Sequence, residues 1–189
     1  MEPPMATDMN FWEEQALKHR HTPHRPDPQT FDTLIYPGLY SPTGLDILTL
    51  LTSIHARPNP QIALGSVDLA CAIVVCDLRM PDTPIVYATP PFYAMTGYTA
   101  REVLGGNCRF LQAPPGGLSG GGPATVGRGN REVVRQMRRA VERNAEVQVE
   151  VVNYKKSGEG FVNFVTIIPV RFGSEAFNYS VGFMCELEG

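Results

Sequence analysis

Three long strand-like segments, joined by short turns, end the chain and constrain its fold more than any other feature. They run from Glu146 to Tyr154, from Phe161 to Arg171 and from Phe177 to Glu186. Segments rich in valine, isoleucine, phenylalanine and tyrosine that are separated by turn sequences such as Lys-Lys-Ser-Gly predict β-hairpins. Because strands joined by short turns pair antiparallel, we predict an antiparallel sheet.

Two shorter strands and a helical middle come before this part of the chain. The predicted elements are strands over Cys71–Asp77 and Pro84–Ala88, short helices over Phe92–Thr96 and Ala100–Leu104, and a longer helix over Asn130–Arg143. Two strands, a helical middle and three strands predict a five-stranded antiparallel sheet with helices on one face, which is an α+β fold.

The N-terminal part of the chain differs from the rest in composition. Residues 1–30 combine prolines with histidines and charged residues and show no sustained period, so we predict a mobile tail. A helix is predicted from Thr43 to Ala56, with Thr43 and Asp46 as a capping box. Its apolar side is wide, which predicts either contact with a second surface or complete burial on the sheet.

Size and charge limit the classes of protein to be considered. With 189 residues, 43% of them hydrophobic, and a net charge of −3, the chain is long enough for one core with extensions. We find no run near the roughly 18 apolar residues that a membrane helix needs, and no signal peptide pattern. We therefore expect an intracellular protein with reduced thiols, and neither membrane nor direct nucleic-acid binding.

The segment from Gly105 to Gln112 brings together a thiol, a cation and amide side chains. The four cysteines form no Cys-x-x-Cys pair and the four histidines lie far from Cys108, so no metal site is predicted. No histidine follows Cys108, which argues against a Cys/His catalytic pair. Cys108 is therefore either an inert buried thiol or a thiol whose partner is a bound cofactor.

The sequence Gly-x-Asn-Cys-Arg-Phe-Leu-Gln resembles the signature of light-oxygen-voltage (LOV) domains, the flavin-binding blue-light sensors of the PAS superfamily. The resemblance extends from about Asp32 to Glu188, and it is greatest to short fungal photoreceptors. Gly106 departs from the arginine that is usual at that position. The resemblance implies a PAS fold and a photoreversible bond between Cys108 and C4a of the flavin. In a largely apolar pocket, burial would keep the Cys108 thiol protonated in the dark.

The resemblance also implies which residues bind the flavin. Asn153 and Asn163 lie among apolar strand residues, where an unpaired buried amide costs roughly 1 to 3 kcal/mol. Amides are implied at the polar edge of the flavin, apolar side chains at the ring faces and arginines at the phosphates. The amides are Asn107, Gln112, Asn153 and Asn163. The apolar residues are Val74, Ile85, Leu111, Val165 and Ile167. The arginines are Arg109, Arg138 and, more weakly, Arg128.

The Gly/Pro-rich loop Ala113–Gly129 is longer than a simple connection. In similar fungal domains such a loop accommodates the adenine half of FAD, so FAD is predicted first, with FMN or riboflavin as alternatives. Met184 stands where LOV domains carry a flavin-binding glutamine, which predicts weakened or rerouted signalling. Cys71 matches a cysteine beside the hinge of the N-terminal cap and is a second candidate signalling residue.

By the same resemblance, residues 31–66 form an N-terminal cap and hinge, and residues 67–189 the LOV core. The family implies a light-induced homodimer formed through the cap, contact with a white-collar-type transcription complex, and a cytoplasmic or nuclear location. No substrate would be turned over, so no enzyme is predicted. Two alternatives stay open, a flavin redox sensor and a PAS interaction module without a cofactor.

Overall fold

The computed structural model describes residues 45–65, 67, 69–117 and 126–187, with the backbone alone for residues 126–129. The predicted tail, residues 1–30, and the first part of the predicted cap lie outside the described residues. Within the described ranges, no helix is both long and apolar enough to cross a membrane.

Five antiparallel strands form one sheet. They are β1 Ala72–Asp77, β2 Ile85–Ala88, β3 Val147–Tyr154, β4 Gly160–Val170 and β5 Tyr179–Glu186. Their order across the sheet is β2-β1-β5-β4-β3. The strands that come first and last along the chain, β1 and β5, are therefore neighbours, and β5 is the central strand. The predicted five-stranded α+β fold is confirmed.

Helices cover both faces of this sheet. They are α1 Ile47–His55, α2 Pro90–Thr96, α3 Ala100–Val103 and α4 Val126–Glu142, together with 3-10 turns at Cys108–Gln112 and Pro115–Gly117. The cysteine motif thus lies on a 3-10 turn between α3 and α4. Short 3-10 segments of this kind are frequent connectors.

Two helix boundaries differ from the prediction. Asp46, predicted at the N3 position of a capping box that begins at Thr43, is instead the N-cap of α1, and its carboxylate accepts from the backbone N–H of Thr49 at 3.0 Å. The carboxylate competes successfully for the first free N–H groups, so the helix starts later than predicted. At the other boundary, α4 begins at Val126, inside the predicted loop Ala113–Gly129.

The side chains of each strand alternate between the two faces of the sheet. We call the face that packs against α1 the cap face and the opposite one the cavity face. The cap face is a closed apolar cluster: Leu45, Ile47, Leu50 and Ile54 pack on Ile73, Val75, Tyr87, Ile168, Val170, Val181 and Phe183. One side of α1 is thereby buried, while Leu48 on the same helix is 49% exposed.

An ion pair fastens the segment after α1 to the start of β3. Arg57 Nε lies 2.6 Å from Glu146 Oε1, and the two side chains are only 13% and 12% exposed. Glu146 Oε2 also accepts from the backbone N–H groups of Gln61 at 3.1 Å and Ile62 at 2.8 Å. Burial would raise the pKa of Glu146, but these hydrogen bonds outweigh it and hold the pKa below its usual value.

Candidate functional site

A cavity of about 460 Å³ lies between the cavity face, the cysteine motif and α4. This volume is within the range of small-molecule and cofactor sites. Its lining combines apolar strand and helix residues with amides, two thiols and charged groups. They are Val74, Cys76, Leu78, Asp82, Thr83, Asn107, Cys108, Arg109, Leu111, Gln112, Val134, Met137, Arg138, Val141, Glu142, Val151, Asn153, Val165, Ile167, Ser180, Gly182 and Met184.

Asn107 fixes the 3-10 turn that carries Cys108. Its Oδ1 accepts from the backbone N–H of Arg109 at 3.0 Å, as an N-cap does. Its Nδ2 donates to Thr83 Oγ1 at 3.0 Å and to the carbonyl oxygen of Asp82. The predicted cofactor-binding role of Asn107 is thus accompanied by a structural one, because its amide bonds to protein groups at both ends.

The thiol of Cys108 lies beside a second thiol in the cavity. Cys76 on β1 places its Sγ 3.7 Å from Cys108 Sγ. The hydrogen bond between them, followed by burial, raises the pKa of Cys76. The same hydrogen bond lowers the pKa of Cys108, against the opposing effect of burial. The effect of burial that the sequence predicted is therefore present at Cys108, and the hydrogen bond to Cys76 opposes it.

The two predicted strand asparagines form a buried pair. Asn163 Nδ2 donates to Asn153 Oδ1 at 2.9 Å, and Asn163 is 0% exposed. In the described part of the chain, Asn163 Oδ1 is the buried side-chain polar atom that has no hydrogen-bond partner. An unsatisfied buried acceptor costs about 1 to 3 kcal/mol, so the pair favours a ligand with N–H groups.

These observations fit a flavin. The polar edge of its ring offers N–H and carbonyl groups that amides can pair with, and its ring faces suit apolar walls. The cavity supplies both: Asn153 beside the buried Asn163, and branched side chains from β1, β4 and the 3-10 turn. Gln112 adds a half-buried amide to the same lining.

Two predicted phosphate ligands lie at the cavity in different surroundings. Arg109 is exposed and forms an ion pair with Asp82. Arg138 is exposed on α4, four residues before Glu142, and both line the cavity. To bind phosphate, Arg109 would have to exchange the Asp82 carboxylate for the new anion. Arg138 also lines the cavity, on the side formed by α4.

Most of the predicted site residues line this one cavity, and four do not. Asn163 lies behind Asn153, and Ile85 is fully buried in the apolar cluster of β1 and α2. Cys71 packs against the cap face, and its carbonyl accepts from Thr89 Oγ1 at 2.8 Å. The side chain of Arg128 is outside the described residues. The roles of all these residues toward a flavin stay predictions.

Met184 faces the cavity from the middle of the sheet. It is half-buried and pairs in register with Val165 on β4 and Ala72 on β1. It contacts apolar clusters on both sides of the cavity. A thioether at this central position cannot donate a hydrogen bond and accepts only weakly.

Several lining residues were missed by the sequence reasoning. Ser180 and Gly182 precede Met184 at spacings of two, and Cys76 follows Val74 at the same spacing. Strand alternation from the residues already chosen would have found them. A Cβ on Gly182 would lie 3.1 Å from Val74 Cγ2, so a side chain at this position would crowd Val74, which also lines the cavity. No cluster of three His, Cys, Asp or Glu residues suited to a metal occurs in the described ranges.

The chain is similar to known fungal proteins. The PAS domain family matches residues 70–186. The blue light receptor lreA of Aspergillus flavus is 39% identical over 165 residues, which is 87% of this chain and 19% of lreA. White collar 1 protein of Neurospora crassa is 38% identical over 150 residues, 79% of this chain and 13% of that protein. The chain therefore spans only a small part of these relatives.

Solved structures match over nearly their whole length. A variant of the fungal photoreceptor VVD, also called Vivid, has a TM-score of 0.71 and 52% identity, covering 79% of this chain and 99% of its own. The light-state dimer of the same photoreceptor gives a TM-score of 0.67 and 53% identity, with 78% and 99% covered. The chain belongs to the PAS domain family and, within it, to the light-oxygen-voltage group that includes Vivid.

Proposed function

We propose that this chain is a blue-light photoreceptor in which Cys108 is the light-reactive residue. One observation carries the proposal: the thiol of Cys108 and the amide of Asn153, which accepts a hydrogen bond from the buried Asn163, line the same cavity. The similarity to lreA, named a blue light receptor, and to Vivid, named a blue-light photoreceptor, supports it. Photoadaptation of fungal light responses is the role proposed with it.

Different residues of the cavity would bind different parts of a flavin. Asn153, Asn163 and Gln112 would bind its polar edge, and the acceptor left open on Asn163 would be satisfied there. Val74, Leu111, Val165 and Ile167 would enclose the ring faces. A bound flavin would supply blue-light absorption and a carbon atom that a thiol can reversibly bond.

Cys108 contributes a sulfur and a hydrogen that the protein keeps in place. Asn107 holds the turn, and Cys76 places a second S–H beside the reactive sulfur at 3.7 Å. Since the chemistry begins and ends with the same thiol, the chain acts as a switch and turns over no substrate.

FAD is the flavin we propose, with FMN and riboflavin as the alternatives. Arg138 and Arg109 both line the cavity as planar cations suited to phosphate oxygens. Heat denaturation of the purified protein followed by chromatography of the released flavin tests this. Release of FMN or riboflavin alone would contradict the FAD proposal and leave the photoreceptor proposal standing.

The proposed output is homodimerisation through the N-terminal cap, followed by contact with a white-collar-type transcription complex in the cytoplasm or nucleus. The exposed Leu48 on α1 and the light-state dimer of Vivid support the first part. The similarity to White collar 1 supports the second. Size-exclusion chromatography in darkness and under blue light tests the dimer, and we expect Leu48→Asp to weaken it at least tenfold.

The deciding experiment is an absorption spectrum of the full chain before and after a blue flash. In the wild-type protein we expect a structured flavin band that bleaches after the flash and returns in darkness. In Cys108→Ala the band should not bleach. In Cys185→Ala, the control at an exposed cysteine, it should bleach and return as in wild type. A colourless protein would indicate an interaction module without a cofactor. A yellow protein whose response survives Cys108→Ala would indicate a redox sensor.

A further inference from the structure

Two thiols face each other inside the cavity, and the photoreceptor proposal uses only one of them. Cys76 projects from β1 and Cys108 from the 3-10 turn, 32 positions apart in the chain, with 3.7 Å between their sulfurs. Both line the cavity, which gives a small solute a route to them. The other cysteines lie elsewhere: Cys71 packs on the cap face and Cys185 is exposed.

The surroundings of Cys108 favour oxidation of this thiol before its neighbour. The hydrogen bond between the two thiols lowers the pKa of Cys108, while the pKa of Cys76 is raised. The thiolate is the form that attacks peroxides. An oxidised sulfur on Cys108 would then have a resolving thiol already in contact.

The backbone around both residues has room to bring the sulfurs together. A disulfide needs about 2.05 Å between its sulfurs, so they must approach by less than about 2 Å. The β1–β2 ladder shifts register between Val75 and Cys76, and such irregularities let a strand bend. On the other side, Gly105 with φ of 82° begins the connection into the turn that carries Cys108.

We propose that Cys76 and Cys108 form an oxidation site, at which a hydroperoxide converts the two thiols into an intramolecular disulfide. The Cys108 thiolate attacks one oxygen of hydrogen peroxide; an S–O bond forms, the O–O bond breaks, and the departing hydroxide takes up a proton as water. Cys76 sulfur then attacks Cys108 sulfur; the S–S bond forms, the S–O bond breaks, and the hydroxyl leaves with the Cys76 proton as a second water. Two thiols are oxidised and one peroxide is reduced.

The disulfide would have a consequence for the proposed function. Cys108 held in an S–S bond has no hydrogen and no free sulfur to offer a flavin, so the oxidised protein would not respond to blue light. This consequence rests on the photoreceptor proposal. Formation of the disulfide does not, because it needs neither light nor flavin.

The test uses the full chain carrying Cys71→Ser and Cys185→Ser, in darkness. This background leaves two of the four cysteines and removes Cys71 from the tryptic peptide that ends at Arg79 and contains Cys76. One equivalent of hydrogen peroxide is added, the remaining thiols are alkylated under denaturing conditions, and the peptides are mapped by mass spectrometry. We expect the peptide ending at Arg79 to be joined to the peptide Glu102–Arg109, and the thiol count to fall from two to none.

Reduction with dithiothreitol should restore both thiols, and Cys76→Ser in the same background should stop at Cys108 sulfenic acid. The proposal is wrong if Cys108 is oxidised while Cys76 stays alkylatable, or if the linked species is a disulfide between two chains. Because the mapping is done on protein without substitutions in the pair, it still decides the outcome if the Cys76→Ser variant fails to fold.

A second measurement separates the two proposals. Wild-type protein is oxidised, mapped and then exposed to a blue flash, with a reduced sample alongside. Loss of the bleach in proportion to the disulfide, with recovery on reduction, supports the link between them. If the disulfide forms but the reduced protein never bleaches, the photoreceptor proposal alone is overturned. If fully disulfide-bonded protein still bleaches, the proposed loss of the light response on oxidation is overturned.

Discussion

The two faces of the sheet are built from alternate residues of the same strands, yet they differ in what they enclose. The cap face is filled by α1 and is apolar throughout its core, with Leu50 at 0% exposure. The cavity face carries an unsatisfied buried amide, two adjacent thiols and a cavity of about 460 Å³. The difference indicates that the cap face supplies stability and the cavity face gives up stability for binding.

The largest effect is expected on the cap face. Leu50→Ala should lower the free energy of unfolding by about 2 to 5 kcal/mol, because a buried leucine is replaced by a cavity. Leu48→Ala on the exposed side of the same helix should change it by less than about 0.5 kcal/mol. Urea denaturation followed by circular dichroism measures both. Equal effects would show that α1 does not contribute to the core.

The next effect concerns the ion pair that joins the segment after α1 to β3. Arg57→Met should lower the free energy of unfolding by about 1.5 to 3 kcal/mol, since Glu146 keeps its charge but loses a charged hydrogen-bond partner. Arg135→Met, which breaks an exposed pair with Glu132, should cost less than about 1 kcal/mol. A loss no greater for Arg57 than for Arg135 would contradict the assignment.

The same site predicts a dependence on pH. Because the folded-state pKa of Glu146 lies below the ordinary 4.5, its charge stabilises the fold above about pH 4.5, and this contribution is lost as pH falls through the lowered pKa. The stability difference between wild type and Glu146→Gln should therefore be constant near neutrality and shrink in acid. Denaturant titrations from about pH 7 to about pH 3 measure it, and a difference that grows on acidification would be inconsistent with the prediction.

On the cavity face, a substitution should have the opposite sign. Replacing both Asn153 and Asn163 by leucine should leave the flavin-free protein unchanged or up to about 1 kcal/mol more stable, because an unmet buried acceptor is removed. Flavin affinity, followed by fluorescence titration, should fall at least tenfold.

The chain offers a matched control on the same two strands. Gln148 donates to Thr166 Oγ1 at 2.8 Å on the face opposite the asparagines. Gln148→Leu with Thr166→Val should leave flavin affinity within about twofold of wild type. Equal loss of flavin affinity in the two double variants would show that the asparagines act only through the fold.

The smallest effect on stability is expected at Met184. Met184→Gln should change the free energy of unfolding by less than about 1 kcal/mol, because the side chain is half-buried and similar in length. It should nevertheless strengthen the light-induced change in oligomeric state, since an amide can both donate and accept a hydrogen bond. Met80→Gln, at an exposed position, is the control. An unaltered light response together with an unaltered dark spectrum in Met184→Gln would contradict the hypothesis that Met184 weakens signalling.

The strand pattern was readable from the sequence because it depends on short-range pattern, and most of the predicted site residues line one cavity. The apolar neighbours of Asn153 and Asn163 on the predicted strands Glu146–Tyr154 and Phe161–Arg171 predicted that both are buried, as they are. The motif around Cys108 predicted a flavin through its resemblance to LOV domains. The start of α1 was wrong because Asp46 captures the free N–H group of Thr49 itself. The start of α4 was wrong because Gly127 and Gly129 disfavour a helix locally, yet the helix extends through both of them.

By itself, the sequence determined the fold class and the family, and it predicted Cys108 as the reactive thiol, since strand period, turn residues and an eight-residue motif are local properties. Only the tertiary structure decided that Cys76 faces Cys108, that Asn163 keeps an open acceptor, and that Arg57 meets Glu146 across 89 positions. The physical reason is that local pattern assigns a side chain to a face, whereas the register of paired strands and the packing of helices decide which side chains on that face touch.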